Sequence, residues 1–297
     1  MKTIETSFEI DRIVDSIMHV GLVHLQLKGD AGKSTFTKCL YGWTIARDVP
    51  CVGYDLDAQQ RHFSGVYDKV NTIGIAGPED SPKLIRVLQA IVRSELTLID
   101  PQAHHGQLLL QTIHDTNLFN YAHEMKMRLV VPLVPRDNAA VIMDLMKIVE
   151  TLKNNVEYLV VRNLGVWHDY RLYDHGPLHK KLQEYHAREI EIPRLDNAVK
   201  HELLRLETMA RRQLRMEDAA NDRKLGMSLL LVGTLDVWLR KVFGAFDAVA
   251  DVLVPSDRYK VLKSKLQLKV AETAGLTTSA DIMWGDGINL NTLEDNE

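Results

Sequence analysis

The sequence predicts an α/β fold in which a doubly wound, mostly parallel sheet is flanked by helices and followed by a helical carboxyl-terminal extension. Two observations carry that prediction. Short apolar, β-branched runs alternate with helical patterns between residues 20 and 192, and strands separated by helices pair in parallel. After Pro193 the strand signals fade, while helical periodicity persists to about residue 270. The 297 residues suit one large domain or two modest ones, at roughly 100–200 residues each. The division expected is a main domain over residues 1–210, a helical extension packed on it over 211–271, and a flexible acidic tail over 272–297.

Residues 20–27 (VGLVHLQL) form a short apolar run with branched side chains, the pattern of a buried strand. Residues 28–32 (KGDAG) end it with turn chemistry. Residues 33–47 are helical, with Phe36, Leu40 and Trp43 spaced four and three apart, and Pro50 closes that helix. Residues 51–54 are a second strand, leading into Asp55 and Asp57. A helix over 81–93 carries Pro82 in its first turn. The strand over 96–99 ends in Asp100. A strand over 129–134, a helix over 138–153, a strand over 158–162, a helix over 178–185 and a strand over 189–192 complete the alternation. Ligands of such sheets sit beyond the carboxyl ends of the strands, where residues 29–34, Asp55, Asp57 and Asp100 fall.

Composition narrows the function classes. The chain is 45% hydrophobic and 26% charged, which argues against wholesale disorder. A net charge of -4 excludes a globally basic nucleic-acid binder but not a local basic patch. The two cysteines, Cys39 and Cys51, are too few for a disulfide framework or a four-thiolate metal site. Free thiols suit a reducing compartment, so a cytoplasmic location is expected. The first twenty residues lack a continuous apolar core, and residues 227–239 are interrupted by Asp236, so no membrane attachment is expected.

The sharpest signal is Lys28-Gly29-Asp30-Ala31-Gly32-Lys33-Ser34-Thr35, with a strand before it and a helix after it. Glycines let main-chain amides turn inward around phosphate oxygens, and the helix start adds partial positive charge. Lys33 suits contact with β- and γ-phosphates, and the Ser34 hydroxyl suits a magnesium ion.

A lysine opens this turn, and Leu27 stands where the general phosphate-loop pattern has its first glycine. The turn resembles the deviant Walker A loop of the ParA/MinD family, whose form is K-G-G-x-G-K-[ST]. Tyr54-Asp55-Leu56-Asp57-Ala58-Gln59 is similar to that family's D-x-D-P-Q segment. Leu98-Ile99-Asp100 fits its Walker B strand, and Ile192-Pro193-Arg194 resembles its I-P-R element. The likeness covers residues 20–210, and its spacing is also similar to TraL/StbB-like members found on conjugative plasmids. It implies a P-loop NTPase using ATP and Mg2+. Lys28 would then reach across a homodimer to the partner's phosphate. Asp57 would orient or activate the attacking water, with Lys28 and Lys33 carrying charge. Asp100 would hold the metal with Ser34, and Asn163, Pro193 and Arg194 would frame adenine.

The match is incomplete. Asp30 occupies the family's second glycine and sets a carboxylate near a polyanion, where like charges about 4 Å apart repel by about 4 kcal/mol at an effective dielectric of about 20. The run Asp100-Pro101-Gln102-Ala103-His104-His105 lacks the family's usual continuation. Of the two acids after the second strand, Asp57 is favoured as catalytic and Asp55 as a surface or capping residue. His168, His175, His179 and His186 find no cysteine or paired acid to complete a metal site. Arginines 211, 212 and 215 and lysines 260, 263, 265 and 269 offer a non-specific DNA contact through the carboxyl-terminal helices, or solvated helix faces.

The function this implies is a switch. ATP-driven homodimerisation and slow hydrolysis would serve partition, positioning or transfer of DNA or a large assembly, with a protein partner. Two alternatives stand beside it. One is a phosphotransferase on a small metabolite, with an acceptor pocket near His104, His105 and Arg136. The other is a nucleotide-binding module that has lost hydrolysis.

Overall fold

Seven strands lie side by side, all parallel, in the order β3-β2-β4-β1-β5-β6-β7. They are β1 (His19–Val23), β2 (Cys51–Asp55), β3 (Asn71–Thr72), β4 (Leu96–Asp100), β5 (Met127–Leu133), β6 (Glu157–Asn163) and β7 (Arg188–Ile192). The structure is a computed structural model that describes residues 17–27, 32–102, 105–221 and 223–273. Lys28, Gly29, Asp30 and Ala31 of the turn, His104, and the tail beyond residue 273 lie outside the described residues.

Parallel neighbours require a crossover, and here helices supply it everywhere but between β2 and β3, which turns connect. The helices are α1 (Lys33–Ala46), α2 (Ser81–Ala90), α3 (Gly106–Asp115), α4 (Leu118–Ala122), α5 (Ala139–Leu152), α6 (Arg171–Asp174) and α7 (Pro177–Glu184). Beyond β7 come α8 (Asn197–Ala210), α9 (Met216–Asn221), α10 (Leu229–Asp247), α11 (Ala250–Leu253) and α12 (Ser256–Thr273). The chain leaves β1 toward β2 on one side and later fills the other side with β5, β6 and β7, so the strand order reverses around β1 and β4. That reversal opens a crevice at the carboxyl ends of β1 and β4.

The central strands are buried on both faces, as their unbroken apolar runs require. Leu22 pairs with Leu98 on one side and Val130 on the other, and all three are fully buried. Helix α1 is buried nearly all round: Phe36, Leu40 and Trp43 on the one hand, Cys39, Tyr41 and Gly42 on the other. Helix α10 accounts for its outer side. Phe246 meets Phe36 edge-on at 5.7 Å, and Asp247 accepts the Trp43 indole N–H at 2.7 Å and two Arg47 N–H groups at 2.9 and 2.6 Å.

The described residues up to Ser256 form one compact unit and those from Asp257 to Thr273 fall in a second, so α8 through α11 belong to the first. Within the second, Lys260 pairs with Asp257 at 3.5 Å and the Lys263 ammonium lies 6.0 Å from the Tyr259 ring centre.

Each expected strand and helix is present, with no end moved by more than four residues. The largest shift is instructive. The run 20–27 leaves the sheet after Val23: the His24 N–H still reaches the Ile99 carbonyl at 3.3 Å, and side chains pin the residues beyond it. The Gln26 amide donates to the Val134 carbonyl at 3.1 Å and accepts the Val134 N–H at 3.3 Å, and the Leu27 N–H donates to Asp144 at 3.0 Å. Elements that the sequence reading lacked are the two-residue edge strand β3 and helices α3, α4 and α6.

Candidate active site

Strand β1, the pinned stretch after it and the start of α1 lie at the crevice. Gly32 precedes α1 in the left-handed region, with φ of +89°. Any side chain there is strained, and a Cβ would also collide with the Asn163 amide. Gly32 supplies no side-chain cap, and no acid lies in the first turn of α1. The first-turn N–H groups and their partial positive charge are therefore not capped by any side chain of the helix itself. Lys33 and Ser34 open the helix, and Lys33 is buried.

Three carboxylates face this helix start. Asp55, Asp57 and Asp100 are all buried, and with Lys33, Ser34, Thr35 and Lys38 they line a cavity of about 680 Å³. Their surroundings give them different work. Asp55 accepts from the Asp57 N–H at 2.9 Å, the Phe63 N–H at 3.1 Å, the Ser64 N–H at 2.8 Å and the Ser64 hydroxyl at 3.0 Å. It shapes the loop after β2, which is a capping role in a buried rather than a surface place. Asp57 accepts from the Gln59 and Gln60 N–H groups at 3.1 and 3.0 Å, all through Oδ1. It lies past the end of β2 and faces the cavity.

Asp100 ends β4. Burial pushes its carboxyl up to about 7, and neighbouring Asp55 adds to the shift. The Ser34 hydroxyl, Lys33 and Lys38 oppose it. Its Oδ1 is buried with no hydrogen-bond partner, so the carboxylate has an unsatisfied oxygen beside the Ser34 hydroxyl. Among the described residues no group of three or more His, Cys, Asp or Glu is placed to hold a metal ion.

Two residues that support the site carry no signal of their own in the sequence pattern. His24 is fully buried behind α1: its Nε2 lies 3.0 Å from the Thr37 hydroxyl, which donates to the Lys33 carbonyl at 3.1 Å. Burial, with the charge of Lys33, pushes His24 down to about 3, so the ring is neutral. Lys38 lines this cavity and the next one. What marks it is shared: the spacing Thr35, Lys38, Cys39, Gly42, which is one face of α1.

That next cavity, about 280 Å³, meets the first at Thr35, Lys38 and Val166. Asn163, Ile192 and Pro193 line it, together with apolar side chains of α8 and α10. The Asn163 Oδ1 accepts the Gly165 N–H at 3.1 Å, and the Trp238 indole donates to the Pro193 carbonyl at 2.7 Å, which fixes both walls. Arg194 stands outside this cavity. It lines a separate hollow with Asp196 and Lys241, and its guanidinium is 3.4 Å from Asn197. His105 begins α3, and its buried Nδ1 has no partner. Of the basic residues near 211–215, Arg215 stacks 5.3 Å from the Tyr67 ring centre, and Arg211 and Arg212 are exposed. No helix among the described residues is long and apolar enough to cross a membrane.

No protein-family model matches the chain, and no curated protein matches it. Solved structures do. A nucleotide-binding protein from Archaeoglobus fulgidus in complex with ADP is 17% identical at a TM-score of 0.36, over 64% of this chain and 87% of that one. The MinC:MinD cell division protein complex of Aquifex aeolicus is 12% identical at a TM-score of 0.41, over 75% of this chain and 96% of that one. Both likenesses are distant.

Proposed function

We propose that this chain is an ATPase of the ParA/MinD type. The observation that carries the reading is the pairing of Ser34, on the first turn of α1, with Asp100, whose second oxygen is buried and unsatisfied. A hydroxyl and a carboxylate at the start of an uncapped helix are the protein's share of a magnesium–triphosphate site, since Mg2+ takes one or two protein ligands and completes its shell with phosphate and water. When bound, Mg2+ neutralises charge on the β- and γ-phosphates.

The chain's own residues do the rest. Main-chain N–H groups from Gly29 through Thr35 wrap the phosphates, and Lys33 stabilises charge on the oxygens of the phosphoryl group in transit. Asp57 holds the attacking water in line. Water forms the new bond to the terminal phosphorus as the bond to the bridging oxygen breaks, giving ADP and phosphate. Lys28 acts on the partner's phosphate in a nucleotide-sandwich homodimer. Asn163 and Pro193 flank the base. His24 holds the first turn of α1 through Thr37, which steadies Lys33.

Closing and opening of that dimer makes the protein a switch for positioning, partition or transfer of DNA or a large assembly through a protein partner. Size-exclusion with light scattering tests this directly. A non-hydrolysable ATP analogue with Mg2+ should produce a dimer, ADP should not, and Lys28→Ala and Lys33→Ala should remain monomeric. A wild-type chain that stays monomeric with the analogue sinks the switch.

A further inference from the structure

The smaller cavity carries a carboxylate that the phosphate chemistry does not use. The face of α1 made by Thr35, Lys38, Cys39 and Gly42 leads away from the phosphate end. Gly42 lies ten residues past Gly32, which is about 15 Å of helix. A Cβ on Gly42 would run into the Glu217 carboxylate, so the missing side chain is what lets α9 bring that group against α1.

Beside the lysines Lys38 and Lys200, the polar lining of this cavity is Thr35, Tyr67, Asn163 and the two carboxylates Glu207 and Glu217. Glu207 accepts the Leu214 N–H at 3.0 Å, which braces the turn between α8 and α9. Asn163 spends its Oδ1 on Gly165. Glu217 has its own N–H and the Tyr67 hydroxyl, at 3.2 and 3.4 Å from its two oxygens. That hydroxyl has one proton and lies closer, at 3.0 Å, to the Lys38 carbonyl. A carboxylate accepts about four hydrogen bonds, so Glu217 keeps acceptor capacity beside the apolar side chains of Leu203, Leu214, Met216 and Leu239. Such a group calls for a donor.

We propose that Glu217 is a specificity residue that accepts a hydrogen bond from the exocyclic amino group of adenine. This rests on the nucleotide reading above, which fills the larger cavity with phosphates and leaves the smaller for the base. Lys38, at the junction of the two, faces the link between them. Nothing in the turn or in the Asp100 pair distinguishes one base from another; Glu217 does.

The test is calorimetric binding of ATP and of purine riboside triphosphate, which differs only by the lost amino group, each with Mg2+. The wild-type chain should bind ATP about tenfold or more tightly than the analogue, as expected for a hydrogen bond to a charged group. Glu217→Ala should erase that preference while leaving the analogue's affinity unchanged. Glu217→Gln keeps a carbonyl acceptor and should keep most of the preference. Equal wild-type affinity for the two nucleotides overturns the proposal and leaves the nucleotide reading standing. So does a Glu217→Ala variant that weakens both alike, since Glu217 is then only a clasp between α9 and α1. If Glu217→Ala does not fold, the wild-type ratio and Glu217→Gln decide. A wild-type chain that binds neither nucleotide sinks the site itself.

Discussion

Asp100→Asn should make the nucleotide-free chain more stable at alkaline pH while removing Mg2+-dependent turnover. The folded carboxyl keeps its proton up to about pH 7, whereas an unfolded aspartate releases it near 3.8. Between those values the folded chain binds more protons than the unfolded one, so this residue's contribution falls as pH rises across that window and is constant above it. At about 1.4 kcal/mol per unit, the span from 3.8 to about 7 amounts to roughly 4 kcal/mol of destabilisation at full ionisation, as an upper bound. The two units between pH 5 and 7 account for about 3 kcal/mol of it. Urea unfolding of wild type and Asp100→Asn at pH 8.5 and pH 5.0, without nucleotide or divalent ion, measures the difference. The variant's advantage should be larger at pH 8.5 by about 2–3 kcal/mol. Adding Mg2+ and ATP at pH 8.5 should stabilise the wild type and not the variant. An advantage of equal size at both pH values, or none at pH 8.5, would refute the reasoning, because burial of a charge that Ser34, Lys33 and Lys38 only partly offset is what it depends on.

Other outcomes follow from single contacts. His24 titrates at about 3 when folded against an ordinary 6.5, so the unfolded chain binds the extra proton; stability should fall as pH drops below 6.5, by about 2 kcal/mol at pH 5, and His24→Gln should flatten that limb of a stability-versus-pH curve. Gly32→Ala places a side chain at φ +89° against Asn163, so it should cost about 1–2 kcal/mol in urea unfolding and lower nucleotide affinity at the same time. Asp247→Ala strips the Trp43 indole and Arg47 of their acceptor and should cost about 2 kcal/mol without changing nucleotide affinity in calorimetry. Burial pushes the Cys39 thiol up to about 12, so Ellman's reagent should leave it unmodified at pH 8 until denaturant is added.

The sheet was legible because parallel strands buried on both faces read as unbroken apolar runs, and residues 96–99 and 129–134 are of that kind. β3 was not legible: two residues, Asn71 and Thr72, both exposed, leave no pattern. Helix α3 was missed for a different reason. Of its buried positions Leu109, Thr112 and Ile113, the first falls inside Leu108-Leu109-Leu110, where a run of leucines masks the period. Helix α1 is enclosed by the sheet and α10, so its own periodicity is weak, and the signature turn before it did more to reveal it than the pattern within it.

Within the site, Lys33, Ser34, Asp57 and Asp100 were named from sequence, and they line one cavity. They belong to loops and strand ends that local chemistry marks. Glu217 and Trp238 come from helices far along the chain, and only the packing of α9 and α10 brings them beside Asn163 and Pro193. His24 sat inside an apolar run and looked like one more core position; its pairing with Thr37 appears only once α1 folds back over β1.

The most direct measurement is a calorimetric titration of Mg2+ and ATP into the full chain and into Lys33→Ala, at one pH and one salt concentration. One saturable site per chain, weakened at least tenfold by the substitution, is the expected result. No heat of binding at millimolar ATP, or indistinguishable curves for the two proteins, would contradict the claim that the turn before α1 holds a triphosphate.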